Sequence, residues 1–229
     1  MSTVIVCYFV PLLLLTSSGC TGGGARIPEG WQTETVTFDQ FSLENDVAVP
    51  LETGPSDRPG RLQIIICYGS LFSDHTALRL VSTNHDTVFW DPAGTYGVRS
   101  EEVARQSDLL IEGTPGLESY WGWRQSPCHN KAIEIFEWTV PKQLDTDLDQ
   151  ILRDGLSDDD PRGSFSTMSH GMLCCVSVSG FLKRFTPGFI EVPRTMFWPH
   201  ELAAQLRTQR PDAVFILRAG EDYIEMGRP

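Results

Sequence analysis

Three apolar runs between positions 62 and 91 predict a block of β-strands. Residues 62–68 are mostly β-branched and apolar, the pattern of a strand buried on both faces. Residues 75–81 and 87–91 follow, and the polar residues between them predict the turn of a hairpin. This part of the chain therefore predicts neighbouring strands of one sheet.

The second half of the chain changes from strand to helix periodicity. After an alternating strand over 132–140, residues 141–155 have apolar side chains on one helical face, and Pro141 suits the first helical position. Two more helices are predicted, from Cys174 to about Phe185 and from Pro199 to Pro211. Residues 212–218 are predicted as a last strand. This order favours an α+β fold in which an antiparallel sheet packs against a few helices gathered on one side.

Two segments have weaker patterns. Residues 33–41 alternate and could form a strand at the margin of the domain. Residues 100–130 are mixed: a helix could begin at Ser100, and the aromatic cluster that starts at Tyr120 could line a groove or pack under a loop.

The N-terminus predicts export and a lipid anchor. Residues 4–15 are apolar but too few to span a bilayer, and small residues separate them from Cys20. This arrangement resembles a bacterial lipoprotein signal, in which the cysteine is acylated. We therefore expect a signal over 1–20, a tether and N-terminal arm over 21–60, and one domain over 61–229. The resemblance implies the cell envelope, and Thr21 resembles outer-membrane sorting if the organism is Gram-negative.

Charge narrows the choice of partners. The chain carries a formal net charge of −12, and its lysines and arginines are scattered. We expect no nucleic-acid partner, because neither a phosphate-binding groove nor a polybasic patch is visible. The membrane is expected as a partner only through the lipid anchor, and the oligomeric state stays open.

The chemistry is expected at two adjacent cysteines, Cys174 and Cys175, which open an apolar helix. A thiol at a helix N-terminus faces unpaired backbone N–H groups and the positive end of the helix dipole, both of which lower its pKa. The alternative is that both cysteines are buried as small core residues. Cys67, by contrast, lies within an apolar strand and has no helix N-terminus to acidify it.

The residues from Cys175 onwards, Cys-Val-Ser-Val-Ser, resemble the start of the active-site helix in papain-type enzymes. His75 begins a strand about a hundred residues earlier, and this order resembles the circularly permuted papain-like family of the NlpC type. The resemblance implies Cys175 as nucleophile, His75 as general base and Asp91 as the group that orients the imidazole. It also implies a hydrolase or acyltransferase that acts on amides or esters of cell-wall peptides or lipids. No cofactor is expected.

Several alternatives stay open around this site. His85 and Asp86 compete with Asp91 from the hairpin turn. His170 and Cys174 are candidates for an oxyanion donor or for the wall of the cleft. His129 beside Cys128, together with His200, suggests a metal, but the spacing is not that of a zinc site, so no metal is expected. The alternative function is a non-catalytic envelope lipoprotein that uses the same fold as a binding module.

Overall fold

The structure is a computed structural model that describes residues 24–37, 41, 59–69, 74–83, 87–93, 109–111, 120–122, 131–168 and 172–229. The predicted signal and acylation site, residues 1–20, therefore lie outside the described residues, as does most of the arm over 21–60. None of the helices in the described ranges is both long and apolar enough to cross a bilayer.

The described residues form an α+β fold built on one antiparallel sheet. Its eight strands are ordered β1-β8-β7-β6-β2-β3-β4-β5. In chain order they are β1 Gln32–Thr37, β2 Gly60–Tyr68, β3 His75–Val81, β4 Val88–Trp90, β5 Leu109–Ile111, β6 Ala132–Val140, β7 Ala213–Arg218 and β8 Tyr223–Arg228. The three long helices of the described ranges are α1 Lys142–Asp154, α2 Cys174–Phe185 and α3 Pro199–Arg207.

The sheet has an apolar layer on each face, which explains the apolar run over residues 64–67 of β2. One face packs against the buried sides of α1, α2 and α3, and its β2 residues include Ile64 and Ile66. The other face carries Ile65 and Cys67 among its β2 residues and is covered by aromatic residues that include Tyr120. The predictions of a doubly buried strand and of helices on one side of the sheet are confirmed for the described elements.

Side-chain hydrogen bonds fix the ends of α2. Ser179 Oγ lies 2.6 Å from the Cys175 carbonyl oxygen and accepts a hydrogen bond from the Met196 backbone at 2.8 Å, so the helix is tied to the segment that leads to α3. At the other end, the Thr186 hydroxyl donates to the Leu182 carbonyl over 2.7 Å. The first turn of α2 is thereby held over β3, against which the helix packs.

The N-terminal arm joins the body earlier than the predicted boundary near residue 61. β1 pairs with β8 along its length, and Ile27 packs against the core. Gly227 in β8 is required there, because a Cβ at that position would collide with Ile27. Residues 24–37 are therefore part of the folded unit, with β1 at the edge of the sheet as its alternating pattern predicted.

Candidate active site

The termini of three secondary-structure elements place a histidine, an aspartate and a cysteine in one region of the molecule. His75 is the first residue of β3, Asp91 follows the last residue of β4, and Cys174 is the first residue of α2. β3 and β4 are antiparallel, with Leu78 opposite Trp90. The residue after β4 is therefore carried alongside the start of β3, as the hairpin prediction required.

His75 and Asp91 are in direct contact inside the protein. The distance from His75 Nε2 to Asp91 Oδ1 is 2.5 Å, and the two residues are only 7% and 2% exposed. Because this contact engages Nε2, the other ring nitrogen, Nδ1, lies on the edge of the imidazole away from Asp91. A buried carboxylate in this position fixes the orientation of the ring and stabilises its protonated form.

Cys174 is the thiol whose ionisation the His75 imidazole favours. Burial opposes its ionisation and is the largest single influence on it. The charge and hydrogen bond of the His75 side chain act in the opposite direction, together with backbone hydrogen bonds from Thr76 and Cys175, and the pKa of Cys174 is lowered overall. The Cys174 side chain is also partly exposed, so the thiolate that results is open to a reagent.

Cys175 lies on the other side of the helix, in the core. It is fully buried in the apolar cluster between the sheet and the helices. Burial, followed by the neighbouring charge of Cys174, raises its pKa to about 12. The thiol next to His75 is therefore Cys174 and not the predicted Cys175, and we correct the position of the candidate nucleophile accordingly.

Tyr120 is a member of the site whose role the sequence did not indicate. Its hydroxyl lies 3.3 Å from Asp91 Oδ1 and 3.8 Å from the sulfur of Cys67, on the sheet face opposite the long helices. Tyr120 is fully buried, so it contacts the Asp91 carboxylate from the sheet face opposite the long helices. The aromatic cluster at this position was an available signal, but it gave no indication of which strand end it would cover.

Of the remaining alternative site residues predicted from the sequence, the structure describes only His200. His170, His85, Asp86, Cys128 and His129 lie outside the described residues. His200 is exposed and stacks on Trp198. Within the described ranges, no group of three or more His, Cys, Asp or Glu side chains is arranged to hold a metal ion. The cysteines in those ranges are Cys67, Cys174 and Cys175, and no disulfide joins any two of them.

A cavity of about 600 Å³ adjoins the first turn of α2. Val176 and Ser177 line it from the helix, and Trp90 lines it from β4, one residue before Asp91. This volume is within the range of small-molecule sites, roughly 300–1,000 Å³. The thiol, the imidazole and a space for a ligand therefore occupy one region of the molecule.

No protein-family model, curated protein or solved structure matches this chain. The functional argument therefore depends on the fold and on the geometry of these side chains.

Proposed function

We propose that this protein is a thiol hydrolase or acyltransferase that works through a thioester on Cys174. The observation that carries the proposal is the buried His75–Asp91 pair, whose imidazole favours the thiolate of Cys174 at the start of α2. Nucleophilic catalysis by cysteine needs these three groups in this order: a thiolate, a base that moves its proton, and an anchor that orients the base.

In the first half-reaction the Cys174 sulfur attacks the carbonyl carbon of an ester or amide. A carbon–sulfur bond forms, and the carbonyl oxygen takes the negative charge. The backbone N–H of Cys174, one of the unpaired donors of the first helical turn, is placed to stabilise that oxyanion. His75 then gives its proton to the departing alcohol or amine as the carbon–oxygen or carbon–nitrogen bond breaks.

In the second half-reaction the thioester is resolved. His75 takes a proton from water or from an acceptor hydroxyl or amine, whose oxygen or nitrogen attacks the same carbonyl carbon. The carbon–sulfur bond breaks, the proton returns to sulfur, and the acyl group leaves as an acid, an ester or an amide. Asp91 stabilises the imidazolium in both halves without being protonated itself.

The chain order supports a permuted papain-like fold of the NlpC type. The histidine strand comes first, the strand that precedes the third group is its hairpin partner, and the helix headed by the cysteine follows later in the chain. The nucleophile at a helix N-terminus, over an antiparallel sheet, is the arrangement that this family uses. The likeness is one of element order and site geometry.

The second candidate is a binding module of the envelope with the same fold. The cavity beside α2 favours it, because a pocket of this size binds a ligand whether or not the thiol reacts. The two candidates differ in one respect: only the enzyme forms a covalent acyl adduct.

The test is turnover of p-nitrophenyl acetate, with intact-mass detection of an acetyl adduct. We expect Cys174→Ala to remove the adduct and to lower kcat/KM at least about 1,000-fold, as loss of a nucleophile does. Cys175→Ala serves as the matched control and should keep both. If Cys175→Ala loses the adduct while Cys174→Ala retains it, the assignment is overturned. If the folded wild-type protein does not react, the enzyme proposal fails and the binding module is the candidate function that remains.

A further inference from the structure

The cavity beside α2 has an apolar wall and an open apolar rim. Trp90, Phe165 and Phe181 form much of the wall. Their rings pack edge to face or tilted, with centroids 5.3–5.6 Å apart. The rim includes Met168 and Met172, which are 38% and 50% exposed. An apolar wall of this kind suits a hydrocarbon chain.

The cavity runs along the helix that Cys174 begins. Val176, Ser177, Gly180 and Arg184 line it, so it follows one side of α2 from the turn that begins at Cys174. At a rise of about 1.5 Å per residue, the stretch from Val176 to Arg184 is about 12 Å long. An acyl group joined to the Cys174 sulfur would therefore have this side of the helix beside it.

Ser177 places a buried polar group in the wall of the cavity. Ser177 is 6% exposed, and its hydroxyl makes no hydrogen bond to any part of the chain that the structure describes. A buried hydroxyl without a partner is costly, so a native structure that retains one calls for a ligand or solvent at that point. Ser177 is three residues after Cys174, and side chains at this spacing are neighbours about 5–6 Å apart.

We infer that this cavity binds the acyl group of the substrate, and that the group is a linear chain of medium length with a hydrogen-bonding substituent near its carbonyl carbon. The inference depends on the proposed thioester chemistry and specifies its substrate class. The apolar wall takes the chain, and the Ser177 hydroxyl bonds the substituent, for which a hydroxyl on the third carbon is the simplest form.

The test compares acetyl, octanoyl and 3-hydroxyoctanoyl esters of p-nitrophenol. Burial of one methylene is worth about fourfold in binding. We therefore expect octanoyl kcat/KM to exceed acetyl by on the order of 100-fold, since a cavity open at its rim covers only part of the chain. The 3-hydroxyl should add about fivefold, the value of one hydrogen bond. Ser177→Ala should make the octanoyl and 3-hydroxyoctanoyl esters equivalent substrates.

Gly180 allows the cavity to be filled without disturbing the fold. A Cβ placed on it meets no described atom within 4 Å, and glycine is a poor helix residue, so Gly180→Leu should fold at least as well as wild type. This variant should lose most of the advantage of the octanoyl ester over the acetyl ester. Gly180→Ala is the matched control, because it makes the same helix change with little added volume.

The outcomes separate this inference from the proposed function. Acetylation of Cys174 with no gain from chain length overturns the inference and leaves the thiol chemistry. If no ester acylates Cys174, the proposed function fails. Calorimetry of 3-hydroxyoctanoate with Cys174→Ala then tests whether the cavity binds an acyl chain. Binding that Gly180→Leu weakens at least tenfold supports the inference, and absence of binding overturns it.

Discussion

Cys174 and Cys175 have opposite electrostatic surroundings because neighbouring residues leave a helix about 100° apart. One points to the end of β3, where His75 and backbone N–H groups stabilise a thiolate. The other points between the helix and the sheet, where no charge is tolerated without cost. A single step along the chain therefore separates a reactive thiol from a core side chain.

The pH profile of alkylation should show this difference. Because the pKa of Cys174 is lowered, its thiolate persists below the ordinary thiol pKa of about 8.5, and its rate with iodoacetamide should fall only as the pH drops through the lowered value. Cys175, with a pKa near 12, should stay unreactive in the folded protein. The alkylation rates are measured by intact mass: Cys175→Ala reports the Cys174 thiol, and Cys174→Ala reports the Cys175 thiol.

His75→Gln is the control for this profile. It removes the imidazole that favours the thiolate, so the Cys174 profile should move to higher pH while the variant stays folded. Equal and slow rates for both thiols in the wild-type background would contradict the electrostatic account and would weaken the nucleophile assignment.

At this scale the sequence predicted two of the three groups in contact. His75 and Asp91 follow from the hairpin, because antiparallel pairing fixes which residues can face each other to within a residue or two. The choice between the cysteines could not be made in the same way. It depends on how α2 is rotated over β3, and that rotation is set by distant contacts such as the bond between Ser179 and the Met196 backbone.

At the scale of elements, a buried ion pair joins α3 to the sheet. Arg207 Nε lies 3.0 Å from Glu134 Oε1, its Nη2 lies 2.5 Å from Oε2, and the Tyr68 hydroxyl also donates to this carboxylate. Glu134 is fully buried and the Arg207 side chain is 9% exposed. Burial raises the pKa of Glu134, and the hydrogen bond and charge of Arg207 oppose that rise.

Arg207→Met should destabilise the fold by about 3–5 kcal/mol, because it leaves a buried carboxylate without its cation. Urea unfolding measures the loss. The loss of stability should be smaller at lower pH. The pKa of Glu134 is higher in the folded state than in the unfolded state, so protonation of Glu134 stabilises the folded state. That stabilisation is lost as the pH rises through the folded-state pKa.

Two further variants make this prediction specific. The double variant Arg207→Met, Glu134→Gln should recover much of the lost stability, since no buried charge remains. Arg194→Met is the surface control. Arg194 is 68% exposed, and its Nη2 lies 3.4 Å from Glu201 Oε1, so this variant should cost less than about 1 kcal/mol of stability. If Arg207→Met costs no more than Arg194→Met, the ion pair does not hold α3 in place.

Most elements were predictable because their limits are set by local signals. The boundaries of β3 and β6 agree with the predicted strands, and Gly155 and Thr186 end α1 and α2 as expected. β8 was missed: its buried Ile224 and Met226 alternate with polar residues, but the strand is short and contains a glycine. β5 was missed as well, because three residues carry too little periodicity to detect.

At the scale of the whole molecule, the segment between Cys20 and the described body would limit its distance from a membrane if Cys20 is acylated. The Gly24 carbonyl accepts a hydrogen bond from Arg207 Nη2 at 3.3 Å, so the described part of the body includes Gly24. Four residue steps separate Gly24 from Cys20, and they span at most about 14 Å. If Cys20 is acylated, as the sequence predicts, the body would be kept close to the lipid surface, within reach of membrane-associated acyl groups.

The anchor makes a prediction that is independent of the chemistry. In cells given radioactive palmitate, the wild-type chain should carry label and sediment with the membrane fraction, because two or more acyl chains hold a protein stably on a bilayer. Cys20→Ala should lose the label and appear in the soluble fraction, while its turnover of p-nitrophenyl acetate stays unchanged, since the site lies in the folded body. Cys7→Ala is the matched control and should behave as wild type. A wild-type chain without label, or a labelled Cys20→Ala, would remove the lipid anchor and leave the thiol site to act on soluble substrates.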